Sequence, residues 1–187
     1  MTDQSQQKPV APTIAVEQPT VLSGADLNDL CDATDDAIKA GGGFGWVRPP
    51  ARDIMERFWQ GVLTMPQRLL FVARLDGTIC GAAQLVVPPR NNEAQSFAVH
   101  LTGNFIAPWA RGHGLARLLL ETVEKKALAE GFSIINLDVR ETQEAAITLY
   151  ESNGYTHFAD HPYYARVDGK IVKGRYYFKV IDPNLKN

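Results

Sequence analysis

A glycine-containing stretch, RGHGLA from Arg111 to Ala116, stands directly before a leucine-rich run with helical spacing. The first backbone N–H groups of a helix have no acceptor within the helix, and the helix dipole adds about half a positive charge there. Gly112 and Gly114 remove the β-carbons that would hold a ligand away, so successive amides can converge on one anion. The stretch therefore predicts a diphosphate site at a helix N-terminus.

Two other phosphate-binding patterns do not fit this stretch. A Walker loop needs a lysine followed by serine or threonine after its last glycine, and neither is present. A dinucleotide fingerprint needs a third glycine three residues after the second, and it is missing. A simple tight turn remains the other interpretation of these glycines.

The elements that position the stretch begin with two predicted helices. Ser23 is a typical N-cap, and an apolar stripe from Leu27 to Ile38 predicts a helix that ends at the Gly41-Gly42-Gly43 run. A second helix is predicted to start near Pro50, whose fixed φ suits a first helical position, and to end before Pro66.

Strand patterns follow the two helices. Asp76-Gly77 stands between two apolar runs, from Leu69 to Leu75 and from Thr78 to Val87, and this arrangement is a strong hairpin signal. A long strand is predicted from Ala94 to Ala107. That strand leads the chain into the glycine-containing stretch, at the edge of the sheet where ligands of open α/β sheets tend to bind.

Helices and strands alternate in the rest of the chain. The stripe from Leu115 to Ala127 predicts a helix that Gly131 ends, and Thr142 is the expected N-cap of a shorter helix that ends at Gly154. Three further strands are predicted at Ser133 to Val139, Tyr155 to Phe158 and Gly174 to Ile181. The order predicts one mixed α/β domain over residues 13–187, preceded by a flexible polar tail over residues 1–12.

Composition excludes several classes of function. With 19 Lys and Arg against 21 Asp and Glu, the net charge of −2 creates no field to attract nucleic acid. No apolar run approaches the roughly 20 residues of a membrane helix, and the polar start has no signal-peptide core, so a cytoplasmic protein is expected. Cys31 and Cys80 have no metal-binding spacing, so we expect reduced packing residues and no metal site.

Two segments resemble one family. The stretch Arg111–Ala116, preceded by Ile106-Ala107-Pro108, fits the R/Q-x-x-G-x-G/A signature of the GNAT superfamily of acyl-CoA-dependent N-acyltransferases. The segment AITLYESNGY, from Ala146 to Tyr155, is similar to the A-I-x-L-Y-E-x-x-G-F/Y segment of the same family. Two matches in the right order are more specific than one. GGGFGW near Gly43 and the run from Tyr164 to Val180 also look similar to acetyltransferases of the tabtoxin-resistance type.

The resemblance implies a fold and a cofactor site. The fold is a GNAT-like mixed, twisted, mostly antiparallel sheet with splayed fourth and fifth strands and about four flanking helices, and acetyl-CoA lies in the split. Its pyrophosphate would meet the loop amides, its pantetheine arm would pair with the fourth strand, and a strand N–H could hold the oxyanion. The residues implied in cofactor binding are Phe105, Ile106, Ala107, Arg111, Gly112, His113, Gly114, Leu115, Ala116 and Gln143.

Tyr150 is the implied proton donor. It matches the family tyrosine that faces the sulfur, and a phenol with a pKa near 10 can protonate the departing thiolate. The alternative is that Tyr150 packs in a stripe with Ala146 and Leu149. Gln143 stands where the family often has asparagine, and its longer side chain would bind the pantetheine or hold the adjacent loop.

The base is less clearly marked. Many family members have a carboxylate on the fourth strand, and counting back from Arg111 places His100 at that position. Alternation puts His100, Thr102 and Asn104 on one face, beneath the acceptor amine, unless a bulge changes the facing. The alternative is a structural histidine hydrogen-bonded between strand and helix.

The implied activity is transfer of an acetyl group to a primary amine of a small molecule or peptide, by direct attack in a ternary complex. A non-catalytic acyl-CoA sensor and a protein N-terminal or lysine acetyltransferase are the alternatives. An exposed late strand would allow pairing with a second copy. The early helices and the late loop are expected to form the acceptor pocket, with the candidates Phe44, Trp46, Asp160, His161, Tyr163 and Tyr164.

Overall fold

The computed structural model describes residues 11–42 and 44–185 as a seven-stranded sheet with helices on both faces. Residues 1–10 of the predicted tail, and Gly43 of the predicted glycine run, lie outside the described residues. The helices are α1 (Gly24–Lys39), α2 (Arg52–Thr64), α3 (Leu115–Ala129) and α4 (Glu144–Ser152). The strands are β1 (Ile14–Glu17), β2 (Arg68–Leu75), β3 (Thr78–Val86), β4 (Ala98–Ile106), β5 (Ile134–Arg140), β6 (Thr156–Val167) and β7 (Lys170–Val180). None of the helices in these ranges has both the length and the apolar character of a membrane span.

The sheet has the order β1-β2-β3-β4-β5-β7-β6, and β4 and β5 form its parallel pair while the other neighbours are antiparallel. The parallel pairing joins Ala98–Leu101 to Ile134–Leu137. Among the described residues it goes no further, although β4 continues to Ile106 and β5 to Arg140. The two strands therefore separate towards their carboxyl ends, which confirms the mixed sheet with splayed fourth and fifth strands.

Each face of the sheet covers its own apolar core. In β2, Phe71 and Ala73 belong to a cluster with α3 and α4, whereas Leu70 and Val72 belong to a cluster with α1 and α2. This alternation is what a strand buried on both faces requires. The α1–α2 cluster surrounds the fully buried Trp59, and the two layers of helices cover the two faces of the sheet.

Local signals predicted several element boundaries correctly. Ser23 caps α1 in a reciprocal capping box with Asp26. Asp76 and Gly77, with φ of 48° and 86°, form the tight turn between β2 and β3.

Both cysteines are buried free thiols, and burial raises the pKa of each to about 11.

Two helix starts differ from the prediction. Helix α2 begins at Arg52 after an N-cap at Ala51, so Pro50 precedes the helix and is not its first residue. Thr142 was expected to cap α4, but Gln143 occupies the N-cap and makes no side-chain cap bond. The side-chain Nε2–H of Gln143 instead donates to the Gly41 carbonyl. This contact joins segments far apart in the chain, so local spacing does not reveal it.

The late strands are longer than predicted. Asp168 and Gly169, with φ of 48° and 80°, form a tight turn that extends β6 and β7 into one long hairpin. The residues expected in a late loop therefore lie in β6. Pro162 falls where the β6–β7 register shifts between His161 and Ala165, which explains why the sequence did not read as a strand. In β4 the strand begins at Ala98, because residues 93–95 form a 3-10 turn.

Candidate active site

The loop before α3 has the geometry of an anion site. Gly112 and Gly114 have φ of 85° and 78°, and a β-carbon on either would have no neighbour within 4 Å. Within the described residues, the backbone amides of residues 112–116 donate to no carbonyl or side chain, because they precede or begin the helix. The Arg111 Nε–H donates to the Ile106 carbonyl at 3.4 Å and ties the loop to β4. The predicted glycines thus leave a row of free amides in open space.

Three residues predicted to bind the cofactor make contacts within the protein. His113 Nδ1 lies 3.2 Å from the Ala110 carbonyl, and Leu115 is buried in the α3–α4 cluster. Ala107 is fully buried, and its N–H donates to the Cys80 carbonyl at 2.7 Å. These three residues were predicted to contact the cofactor. His113 and Leu115 have backbone amides that belong to the loop, whereas the Ala107 amide already donates to β3.

A cleft of about 780 Å³, here called the first cleft, opens beside this loop between the splayed end of β4 and helix α4. Its walls include six residues implied in cofactor or catalytic roles, Asn104, Phe105, Ile106, Arg111, Ala116 and Gln143. Ala37, Ala40 and Gly42, at the end of α1, line the same cleft. The β4 edge there is not paired with β5, so its backbone groups can pair with an extended ligand.

A second cleft of about 420 Å³ adjoins the first one. Asn104, Gln143 and Ala146 line both, so the two spaces meet at the split between β4 and β5. The other polar side chains of the second cleft come from β4, β5, β6 and α4 and are Thr102, Asp138, Arg140, Tyr150, Tyr164 and Arg166. Two connected clefts of this kind can hold two substrates with their reacting groups side by side.

Tyr150 stands at this junction. The Asn104 Nδ2–H donates to the Tyr150 hydroxyl at 3.2 Å, and the tyrosine is only 5% exposed. Burial raises the pKa of Tyr150 to about 12, so the phenol keeps its proton at neutral pH. Its ring packs near Tyr155 and Tyr177 while its hydroxyl reaches the second cleft. Tyr150 therefore both packs in the core and lines the second cleft, so the two interpretations of this residue are compatible.

A β-bulge separates Asn104 from the other two polar residues of β4. Gly103 has φ of 57°, and the β3–β4 register shifts at this point. Leu101 and Ile106 both pack in the α3–α4 cluster although they are five positions apart, so the side-chain alternation reverses between them. His100, Thr102 and Asn104 therefore do not form a single row: the bulge, which the sequence analysis left open, turns Asn104 towards Tyr150.

A carboxylate that the sequence analysis missed lies in the second cleft. Asp138 Oδ1 is 2.9 Å from His100 Nε2, and the Tyr164 hydroxyl donates to Asp138 Oδ2. The hydrogen bond from His100, and then that from Tyr164, hold the pKa of Asp138 below its usual value despite burial. His100 does not line the second cleft but a different groove, together with Val86 and Phe178. It therefore contacts Asp138 from the side away from the second cleft. The available signal was the alternation in INLDVR, which puts Asn136, Asp138 and Arg140 on one face of β5.

The predicted acceptor-pocket residues divide into two groups. Phe44 and Tyr164 line the second cleft. Trp46 packs on Phe58 at 5.0 Å between ring centres. Asp160, His161 and Tyr163 are exposed on β6, outside the lining of both clefts.

Comparison with known proteins identifies this arrangement. Residues 32–155 match the model of the acetyltransferase (GNAT) family. A protein of Azospirillum brasilense, named an uncharacterized N-acetyltransferase in the hisH-hisA intergenic region, is 65% identical over 130 residues, which cover 70% of this chain and 77% of that protein.

Solved structures share the fold at low sequence identity. An N-acetyltransferase from Staphylococcus aureus Mu50 is 18% identical, with a TM-score of 0.77 over 91% of this chain and 99% of that one. An acetyltransferase from Salmonella typhimurium, solved with its cofactor acetyl-CoA, is 17% identical, with a TM-score of 0.74 over 92% of this chain and 96% of that one.

Proposed function

The chain belongs to the acetyltransferase (GNAT) family, and we propose that it transfers the acetyl group of acetyl-CoA to a primary amine of a small molecule or peptide, by direct attack in a ternary complex. It is an acyl-CoA-dependent N-acyltransferase by family, and acetyl-CoA is its co-substrate. The observation that carries the proposal is the junction of two clefts at Asn104, next to the Tyr150 hydroxyl.

The first cleft fits the co-substrate. The free amides of residues 112–116 would bind the diphosphate, because they offer donors and a positive helix end without a charged side chain. The unpaired edge of β4 near Phe105 and Ile106 would pair with the amide groups of the pantetheine arm. Acetyl-CoA supplies the activated thioester when bound, and the protein supplies its position.

The second cleft fits the amine. A protonated amine is not a nucleophile, so it must lose a proton before it attacks. The Asp138 carboxylate would bind the ammonium group and accept the proton that it loses, and the hydrogen bond that His100 Nε2 donates to Asp138 over 2.9 Å would hold the carboxylate in place. His100 thus acts through Asp138 and not as a direct contact of the amine.

Tyr150 would complete the reaction. The departing thiolate needs a proton, and a buried phenol that is neutral at physiological pH can donate one. The hydrogen bond from Asn104 fixes the hydroxyl oxygen and leaves the phenol proton available for this transfer.

Incubation of the protein with acetyl-CoA and a panel of primary amines, followed by thiol release and mass spectrometry of the amines, tests the proposal. We expect thiol release that depends on the amine and an acetylated product in equal amount. Tight acetyl-CoA binding with thiol release no faster than hydrolysis, for every amine, would contradict the proposal and favour a sensor.

A further inference from the structure

We infer that the acceptor carries an anionic group as well as its amine, and that Arg140 binds this anion in the second cleft. The acceptor class is a small aminocarboxylate, such as an α-amino acid. The inference rests on the proposed function, because it concerns the acceptor side of the same site.

Within the part of the chain that the structure describes, Arg140 is a buried cation without a carboxylate partner. It is the last residue of β5, it is 9% exposed, and it lines the second cleft. One of its nitrogens, Nη2, donates to the Phe44 carbonyl. Among the ion pairs of the described residues none includes Arg140, while five N–H groups of a guanidinium can donate. A buried charge is costly unless it is paired, so this position fits an anionic ligand.

Bound acetyl-CoA does not account for this charge. The first cleft is lined by Arg111 and not by Arg140, and the free amides that suit a diphosphate lie beside the first cleft. The anion that Arg140 would meet must therefore enter through the acceptor side.

Asp138 provides the matching negative charge. Asp138 and Arg140 are two positions apart on one face of β5, which places their α-carbons about 6.6 Å apart. They do not pair with each other, since Asp138 is bound by His100 and Tyr164. An α-amino acid places its ammonium and carboxylate oxygen about 3 Å apart, and with a hydrogen bond of about 2.8 Å at each end it spans a gap of about 9 Å. One wall of the cleft thus carries one charge of each sign, as binding of a small zwitterion requires.

The rim of the cleft favours the same class. Arg166, exposed on β6, lines the second cleft and adds a second positive charge. Two arginines beside one carboxylate disfavour a polyamine, which has only positive charges. A lysine within a protein chain has no carboxylate of its own beside the amine, so it would leave Arg140 buried and without an anion.

A comparison of acids with their amides tests the inference. Each standard L-amino acid and its primary carboxamide are assayed with acetyl-CoA, because the amide keeps the amine and loses the negative charge. We expect wild-type kcat/KM to favour the preferred acid by about 10- to 100-fold, as a charge-assisted hydrogen bond allows. In Arg140→Gln this preference should vanish, because the acid and its amide then meet the same neutral side chain. Arg57→Gln, an exposed α2 control paired with Asp53, should retain the preference.

The outcomes separate the anion site from the transferase activity. Equal wild-type rates on acids and amides, or an unchanged preference in Arg140→Gln, would overturn the inference and leave the proposed function intact. Acetyl-CoA affinity, measured by calorimetry, reports whether the variants fold, and Arg140→Lys should keep part of the preference if Arg140→Gln does not fold. If no amine is acetylated, the proposed function fails, and calorimetry of the acids with the enzyme–CoA complex decides the inference: binding that depends on the carboxylate and on Arg140 supports it, and no binding refutes it.

Discussion

Replacing Gly114 by alanine probes the row of amides that we assign to the diphosphate. Gly114 is the N-cap of α3 with φ of 78°, and its added β-carbon would meet no atom within 4 Å. The change therefore creates no clash, and its cost is the left-handed backbone, about 1–2 kcal/mol for an L-residue. If the free loop relieves this strain by leaving the left-handed conformation, binding must restore it. At 1.4 kcal/mol per factor of ten, acetyl-CoA affinity should fall about 5- to 30-fold.

Gly131 offers a matched control at the other end of the same helix. It has φ of 89°, and a β-carbon there also has no neighbour within 4 Å. Gly131→Ala should lower the free energy of unfolding by a similar amount, about 1–2 kcal/mol, without changing acetyl-CoA affinity. Titration calorimetry with CoA gives the affinities, and urea denaturation gives the stabilities. An affinity of Gly114→Ala within twofold of wild type, or an equal loss in both variants, would refute the assignment.

Three further predictions concern the catalytic and structural side chains. Tyr150→Phe should lower kcat by about 10²- to 10⁴-fold, with acetyl-CoA affinity unchanged by calorimetry, because only the proton donor is removed; an unchanged kcat would defeat its role. Because the hydrogen bond from His100 holds the pKa of Asp138 low, its charged form contributes stability that is present above the unfolded value of about 4 and lost as pH falls through the native pKa. Urea denaturation of Asp138→Asn should thus show a shallower loss of stability below about pH 4 than wild type, and an identical loss would contradict this. Thr34→Val leaves the buried indole N–H of Trp59, which donates to the Thr34 hydroxyl at 3.1 Å, without its acceptor, and should cost about 1–3 kcal/mol by thermal and chemical denaturation; a loss below 0.5 kcal/mol, the range of a neutral surface change, would argue against that role.

The features predicted correctly depend on residues close together in the chain. The capping box of Ser23 and Asp26 and the turn at Asp76-Gly77 each involve at most four successive residues, so their residue types are sufficient evidence. The glycine-containing loop before α3 belongs to the same class, since φ above zero and a free helix end are local properties. The change of period from helix to strand at β2 is local as well.

The acceptor side of the site depends on contacts between distant segments. The bulge at Gly103 reverses the facing of β4; a glycine inside a strand allows a bulge, but only the register against β3 shows that one is present. Asp138 meets His100 only because β5 lies parallel to β4, with 38 positions between them in the chain. Arg140 could not be recognised as a buried cation from local sequence, because its burial and its contact with the Phe44 carbonyl join segments 96 positions apart.

By itself, the sequence determined the class of fold and the family, and it predicted the proposed site for the co-substrate, because helix ends, turns and glycine conformations are encoded within a few neighbouring residues. The tertiary structure decided which side chains face the second cleft, because a shift of one residue in strand pairing moves every following side chain to the other face of the sheet. In the proposed site the co-substrate would meet mainly backbone groups, whose place follows from local conformation, whereas the acceptor would meet side chains, whose place follows from register.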